Sequence, residues 1–309
     1  MRLHTATFSA ACLAVVTLFA ASTPAQQQPN KFREALHLTS QPAESADKIA
    51  AQAAAQQKIK DETVANAATN TCAYTFTTGA GTDAFLQFCV TVNGNITEFQ
   101  SPVGIEQIRQ GSVGEGYGIC DLNTGASYYD FADDGASPNW NAPTLVQQTN
   151  SSVKIERTTS DNLFILTQTI SMNPGTLPYA KIQTSLKNNS SVNKSALFMR
   201  WADSDPSDPI AAGYDENLDS TDDSAFAWTP ANSGSENAPY GLMIQNDENT
   251  PSTDRGGVAY AVPTAPNVCD PGGSSGSTIL NTDGSILYGY FLTMPKEQTS
   301  NVAVRYVRF

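Results

Sequence analysis

Residues 72–99 read CAYTFTTGAGTDAFLQFCVTVNGNITEF. Two runs rich in aromatic and β-branched residues, Cys72 to Thr77 and Ala84 to Val90, flank the turn-forming Gly79-Ala80-Gly81-Thr82. A further pair, Val90 to Val92 and Ile96 to Phe99, flanks Asn93-Gly94, the strongest two-residue hairpin signal. The stretch therefore predicts a three-strand antiparallel meander. A turn centred between Ala80 and Gly81 sets Cys72 opposite Cys89 and predicts a disulfide between them.

The same texture continues to the end of the chain. Val153 to Arg157 alternates cleanly and meets Leu163 to Leu166 across Ser160-Asp161-Asn162. Tyr179 to Lys187 alternates again, and Ala196 to Ala202 is apolar on both faces apart from Arg200, which suits a central strand. Tyr240 to Gln245, Gly257 to Val262, Ile286 to Met294 and Val302 to Phe309 complete the set, with Pro174-Gly175, Asp134-Gly135, Pro271-Gly272 and Asp283-Gly284 as turns. No amphipathic helix interrupts them. The expected fold class is all-β: one large antiparallel two-sheet β-sandwich over residues 71–309.

Upstream the chain reads differently. Arg2 and His4 precede an apolar run from Phe8 to Ala21, and Ser22-Thr23-Pro24-Ala25 supplies small residues, so residues 1–25 are expected to be a secretory signal peptide cleaved after Ala25. The run is shorter than the roughly 20 apolar residues of a spanning helix, and no later segment predicts a membrane span. Residues 26–70 are polar, then rich in Ala and Gln, and read as a disordered or partly helical linker. Export agrees with the cysteines: Cys12 leaves with the signal, and Cys72, Cys89, Cys120 and Cys269 remain. With Cys72 paired to Cys89, Cys120 pairs with Cys269 by elimination. The expected localisation is secreted, extracellular or periplasmic.

From residue 71 onward the chain carries 25 Asp and Glu against 11 Lys and Arg. Such a domain repels phosphate backbones, so nucleic acid is not an expected partner. The chain's only histidines are His4 and His37, both upstream of the β domain. That removes Ser-His-Asp catalysis, HExxH metalloproteases and imidazole acid–base chemistry. Bridged cysteines remove thiol nucleophiles, and no phosphate-cradling glycine motif is present. Carboxylate, tyrosine, lysine or arginine chemistry survives, and so does binding.

Two constellations remain. Asp203, Asp205, Asp208, Asp215, Glu216, Asp219, Asp222 and Asp223 place eight carboxylates within 21 residues. Carboxylates crowded this closely repel one another unless hydrated or bridged by a hard cation, and calcium is the natural one outside the cell. Asp203, Asp205, Asp208 and Asp215 are the candidate ligands. The second constellation is aromatic. Tyr128, Tyr129 and Phe131 lead to Trp140 between Asn139 and Asn141, and Trp228 adds a further ring. Aromatic faces beside Asp and Asn suit a sugar: CH groups stack on the ring while polar groups take the hydroxyls. Tyr128, Tyr129, Trp140 and Trp228 are the candidate ligand-binding residues. Gly111 to Gly118 is glycine-dense and reads as a site of tight packing.

In strand number and length the domain resembles the sandwiches of the aldose-mutarotase and polysaccharide-lyase superfamily. That resemblance implies a shape. Mutarotase-type catalysis there depends on a histidine, which this domain lacks, so the resemblance does not carry the activity. The leading expectation is a non-catalytic secreted β-sandwich that binds carbohydrate or another extracellular surface ligand and is stabilised by calcium. A carboxylate-dependent glycan hydrolase or lyase, and a structural envelope or matrix protein, are the alternatives.

Overall fold

The structure, a computed structural model, describes residues 72–79, 84–108, 114–132, 137, 139–204, 216–221, 223–228, 240–247, 255–262, 267–271, 278–282 and 284–308. The expected signal peptide and linker lie outside them. The described residues form strands and turns without a helix, and every ladder is antiparallel. Two large sheets face each other. One has five strands in the order β14 (Arg255–Val262), β16 (Ser285–Met294), β10 (Lys194–Asp203), β4 (Glu115–Asp121) and β5 (Ala126–Phe131).

The other has nine: β15 (Ile279–Thr282), β11 (Glu216–Ser220), β12 (Ser224–Trp228), β13 (Gly241–Asn246), β17 (Thr299–Arg308), β9 (Tyr179–Asn188), β8 (Phe164–Asn173), β7 (Ser152–Thr158) and β6 (Thr144–Gln148). Strand β17 lies between β13 and β9, so the last described strand joins the two halves of this sheet. The expected sandwich is present, with β10 central in the smaller sheet as its two-faced apolar run requires.

Alternation decides what faces inward. In β8 the buried residues are Phe164, Leu166, Gln168, Ile170 and Met172, and in β9 Ala180, Ile182 and Leu186 do the same. Across the gap Ala196 and Phe198 of β10, and Ile286, Tyr288, Tyr290 and Leu292 of β16, complete one core. The opposite face of the five-stranded sheet has a second apolar cluster of Cys120, Leu197, Met199, Trp201, Val268 and Leu287. The Cys120–Cys269 disulfide fastens residues 267–270 against it. Gly116 and Gly118 of β4 belong here: a Cβ on either would collide with Trp201 or Val268. The expected packing role of the glycine-rich stretch holds for these two.

The meander forms a third sheet, β1 (Tyr74–Thr78), β2 (Leu86–Val90) and β3 (Ile96–Gln100), which sends Phe76, Phe88 and Phe99 into the main core. Both expected disulfides, Cys72–Cys89 and Cys120–Cys269, are present. The expected register is not. Thr75, not Cys72, stands opposite Cys89, and Phe76 stands opposite Phe88. Changing the pairing by an odd number of residues exchanges the two faces. The observed alignment puts both phenylalanines on the buried face with centroids 5.3 Å apart. Cys72 reaches Cys89 from just beyond the strand, where the Ala73 amide extends the ladder to Val90.

The Asn93-Gly94 turn also differs from a free two-residue hairpin. Strand β2 stops at Val90, and a longer loop from Thr91 to Asn95 enters the sandwich. The Asn93 amide donates to Asp130, and that of Asn95 donates to the Asp130 carbonyl. The Gly94 carbonyl accepts from Arg200. Polar groups beneath the turn pull it inward.

Those groups form a buried ionic network. Arg200, fully buried, donates through Nε to Glu115 Oε1 at 2.7 Å and through one terminal nitrogen to Gln168 Oε1 at 2.6 Å. Glu115 also accepts from the Tyr306 hydroxyl at 2.7 Å and the Ile96 amide at 2.8 Å. Next to it Arg157 bonds Asp130 at 2.5 Å and the Tyr117 hydroxyl at 3.0 Å. Burial pushes the Glu115 and Asp130 carboxyls up, against the pull of their arginines. Burial alone would lower Arg200, but Glu115 and Tyr306 outweigh it and hold the guanidinium charged.

Removing one member of a buried pair leaves the other desolvated and uncompensated. Arg200→Met is expected to lower the unfolding free energy by ~3–5 kcal/mol, and adding Glu115→Gln to recover part of that loss. Denaturant titrations of the single and double variants measure both.

A separate carboxyl predicts a pH dependence. Burial raises Glu106 to about 7, although Oε1 accepts from the Phe99, Gln107 and Ile108 amides. The fold thus binds this proton more tightly than the unfolded chain does. The contribution is complete below about 4.5 and lost as pH rises through about 7. Denaturation midpoints at pH 5 and pH 8 are expected to fall with pH. Glu106→Gln, which keeps an acceptor for the amides, should flatten that fall.

Candidate binding face

The four aromatic candidates do not share one surface. Tyr128 is 2% exposed and donates to Asp161 at 2.6 Å. Burial, followed by the Asp161 bond, pushes its hydroxyl above the ordinary tyrosine range. Trp140 is 9% exposed and packs edge-on against Tyr117 and Tyr128, with the Arg157 guanidinium 5.1 Å from its ring centre. These two rings belong to the interior, because β5 turns Tyr128 and Asp130 toward the nine-stranded sheet and Trp140 closes over them. Tyr129, one residue on, faces the other way and packs edge-on at 5.2 Å against Phe131, which itself meets Trp201.

Of the carboxylate candidates, Asp203 is buried at the end of β10. Asp205, Asp208 and Asp215 lie outside the described residues. Among the described residues no group of three or more His, Cys, Asp or Glu is placed to hold a metal ion.

Trp228 leads to a different arrangement. In β12 the buried Ala225 and Ala227 face the core, so Phe226 and Trp228 project from the outer face of the nine-stranded sheet. Residues directly opposite in an antiparallel ladder share a face. Following the register from β11 to β8, Asp219, Phe226, Met243, Val307, Tyr179 and Asn173 make one row across six strands. Its centre is apolar: Phe226, Met243 and Tyr179 are half-buried, and Val307, opposite Met243 and Tyr179, is buried. Two residues along each strand, Ser224, Gln245, Arg305, Lys181, Ser171 and Ser152 make a second row, entirely polar. Trp228 flanks the apolar row on its other side, opposite Gly241 and Asn217.

At strand spacings of about 4.8 Å the rows extend for ~24 Å, and they lie roughly 7 Å apart. Arg305 ties them together. Its Nε donates to Gln245 at 3.0 Å, and its guanidinium sits 5.7 Å from the centre of the Tyr179 ring. Lys181 bonds Asp247 at 2.5 Å. The face offers the half-buried Phe226, Met243 and Tyr179 along one line, with Gln245, Arg305 and Lys181 along the next, while Val307 and Ser224 are buried within the rows. Individually these residues carry no binding signature; register across six strands is what aligns them, and no local motif records it.

No protein-family model matches the chain, and no curated protein matches it in sequence. Several solved structures resemble it in architecture. A candidate aldose 1-epimerase from Escherichia coli K12 aligns at 8% identity and TM-score 0.43, over 76% of this chain and 99% of its own. A heparan sulfate lyase mutant from Pedobacter heparinus aligns at 9% identity and TM-score 0.42, over 78% of this chain and 36% of its own. A galactose mutarotase related enzyme from Lactobacillus acidophilus aligns at 9% identity and TM-score 0.40, over 76% of this chain and 97% of its own. These likenesses concern the arrangement of strands, and none assigns a role to a residue here.

Ring truncation on this face is expected to leave the fold standing. Trp228→Ala should change stability by less than Trp201→Ala, for which about 3–5 kcal/mol is expected for a buried ring. Thermal midpoints of the two variants make the comparison.

Proposed function

We propose that this chain is an exported β-sandwich that binds carbohydrate, or another extracellular surface polymer, on the outer face of its nine-stranded sheet, without transforming it. The observation that carries the reading is the half-buried apolar set Phe226, Met243 and Tyr179, in register across the buried Val307, beside the polar row Gln245–Arg305–Lys181. A sugar has the same two-sided character, CH groups on its faces and hydroxyls on its rim. Two disulfides suit an oxidising compartment. No helix among the described residues is long and apolar enough to cross a membrane.

The absence of transformation rests on the chemistry at hand. Residues 71–309 contain no histidine, and their four cysteines are bridged. Calcium belongs to the same proposal, held by Asp203 with Asp205, Asp208 and Asp215.

Binding to immobilised polysaccharides, measured by affinity electrophoresis, is expected to weaken roughly tenfold in Trp228→Ala and Tyr179→Ala at unchanged circular dichroism. Unaltered affinity in both variants would remove the face from consideration. Release of reducing ends on prolonged incubation would overturn the non-catalytic reading. A thermal midpoint raised by calcium and lowered by chelator is expected, and a midpoint indifferent to both would dismiss the ion.

A further inference from the structure

The charge of the molecule is unevenly placed. Arg157, Lys194 and Arg200 are buried, each bonded to an interior carboxylate: Asp130, Asp121 and Glu115 respectively. Four other cations, Lys154, Lys181, Lys187 and Arg305, alternate with buried residues in β7, β9 and β17, and so all project from the outer face of the nine-stranded sheet. The described carboxylates on that face are Glu156, Asp219 and Asp247, the last taken by Lys181. Among the described residues, this face of a domain with 25 acidic and 11 basic residues thus sets four cations against three carboxylates.

Arg305 is the residue best placed to use it. Its Nε is anchored to Gln245 and its plane is supported by Tyr179. Among the described residues its two terminal nitrogens make no hydrogen bond. A guanidinium fixed by Nε and an aromatic ring presents its remaining N–H groups as a fork that fits a carboxylate or sulfate.

We infer that the polymer bound on this face is an anionic polysaccharide, with Arg305 receiving its carboxylate or sulfate groups and the apolar row receiving the sugar rings. This rests on the carbohydrate reading above. The recognition is local: at 0.1 M salt the Debye length is about 10 Å, so the acidic remainder of the surface is largely screened from a chain lying along the rows.

The test is titration calorimetry of the full chain in 0.1 M salt with polygalacturonate, heparin and neutral dextran, repeated with Arg305→Gln and Arg305→Lys. Near-UV circular dichroism checks that each variant is folded. The expected result is binding to an anionic polymer and not to dextran, weakened roughly tenfold or more by Arg305→Gln and less by Arg305→Lys. Binding to heparin alone assigns the anion to sulfate, and binding to polygalacturonate alone assigns it to carboxylate; both support the inference. Equal affinity for dextran, or an unchanged affinity in Arg305→Gln, overturns the anionic ligand and leaves carbohydrate binding standing. Silence with all three polymers overturns both.

Discussion

Arg200 is the point at which all three sheets meet. It rises from the central strand of the five-stranded sheet, bonds Glu115 beside it, reaches Gln168 of the nine-stranded sheet, and takes the Gly94 carbonyl from the tip of the small meander. Tyr306 closes the circuit from β17 through the same carboxylate. A charge in an apolar core is tolerated only when its counter-charge and hydrogen bonds are fixed around it. Each sheet therefore has to occupy a defined position for the network to be complete. Hydrophobic burial supplies most of the attraction between the layers. The ionic network restricts which relative placement they adopt, because a slipped sheet would strand a buried carboxylate or guanidinium.

The second ion pair extends this logic to the rim. Asp130 receives Arg157, Ser137 and Asn93, and so joins β5, β7, Ser137 and the meander loop. Trp140 lies over the arginine. Of the sugar-like grouping read in the sequence, Tyr128, Asp130 and Trp140 here form a packed polar interior, while Asn139 and Asn141 beside them are exposed. Both uses ask for the same side chains, aromatic rings beside carboxylates and amides. Only depth separates them, and depth is a property of the assembled sheets.

Local information carried much of the fold and little of the candidate site. Alternation in Val153–Arg157 and Tyr179–Lys187, and the two-faced apolar run around Phe198, were enough to indicate strands, their inward faces and a central position. The disulfide pairing was also legible, although the register behind it was not: Phe76 and Phe88 share the buried face because the core needs both rings, which a turn centred on Ala80 does not foresee. The outer-face rows were invisible for a stronger reason. Phe226, Met243, Val307 and Tyr179 come from four strands spread over 129 positions of sequence and become neighbours only through ladder register. Trp228 was noticed for its chemistry, without any sign of the company it keeps.

The position of β17 bears on how the molecule comes into being. Thr299–Arg308 is wedged between β13 and β9, and supplies Tyr306 to the central carboxylate. Strands β9 and β13 both precede it in the chain, so both are made before the strand that pairs with them. Until it arrives, the nine-stranded sheet consists of two separate ribbons whose facing edges carry unsatisfied amides and carbonyls, open to pairing with other chains. Such long-range closure is intrinsically slow. The nascent protein thus spends its most vulnerable interval waiting for its own keystone, and whatever keeps those two edges apart from strangers in that interval governs the yield of native molecules.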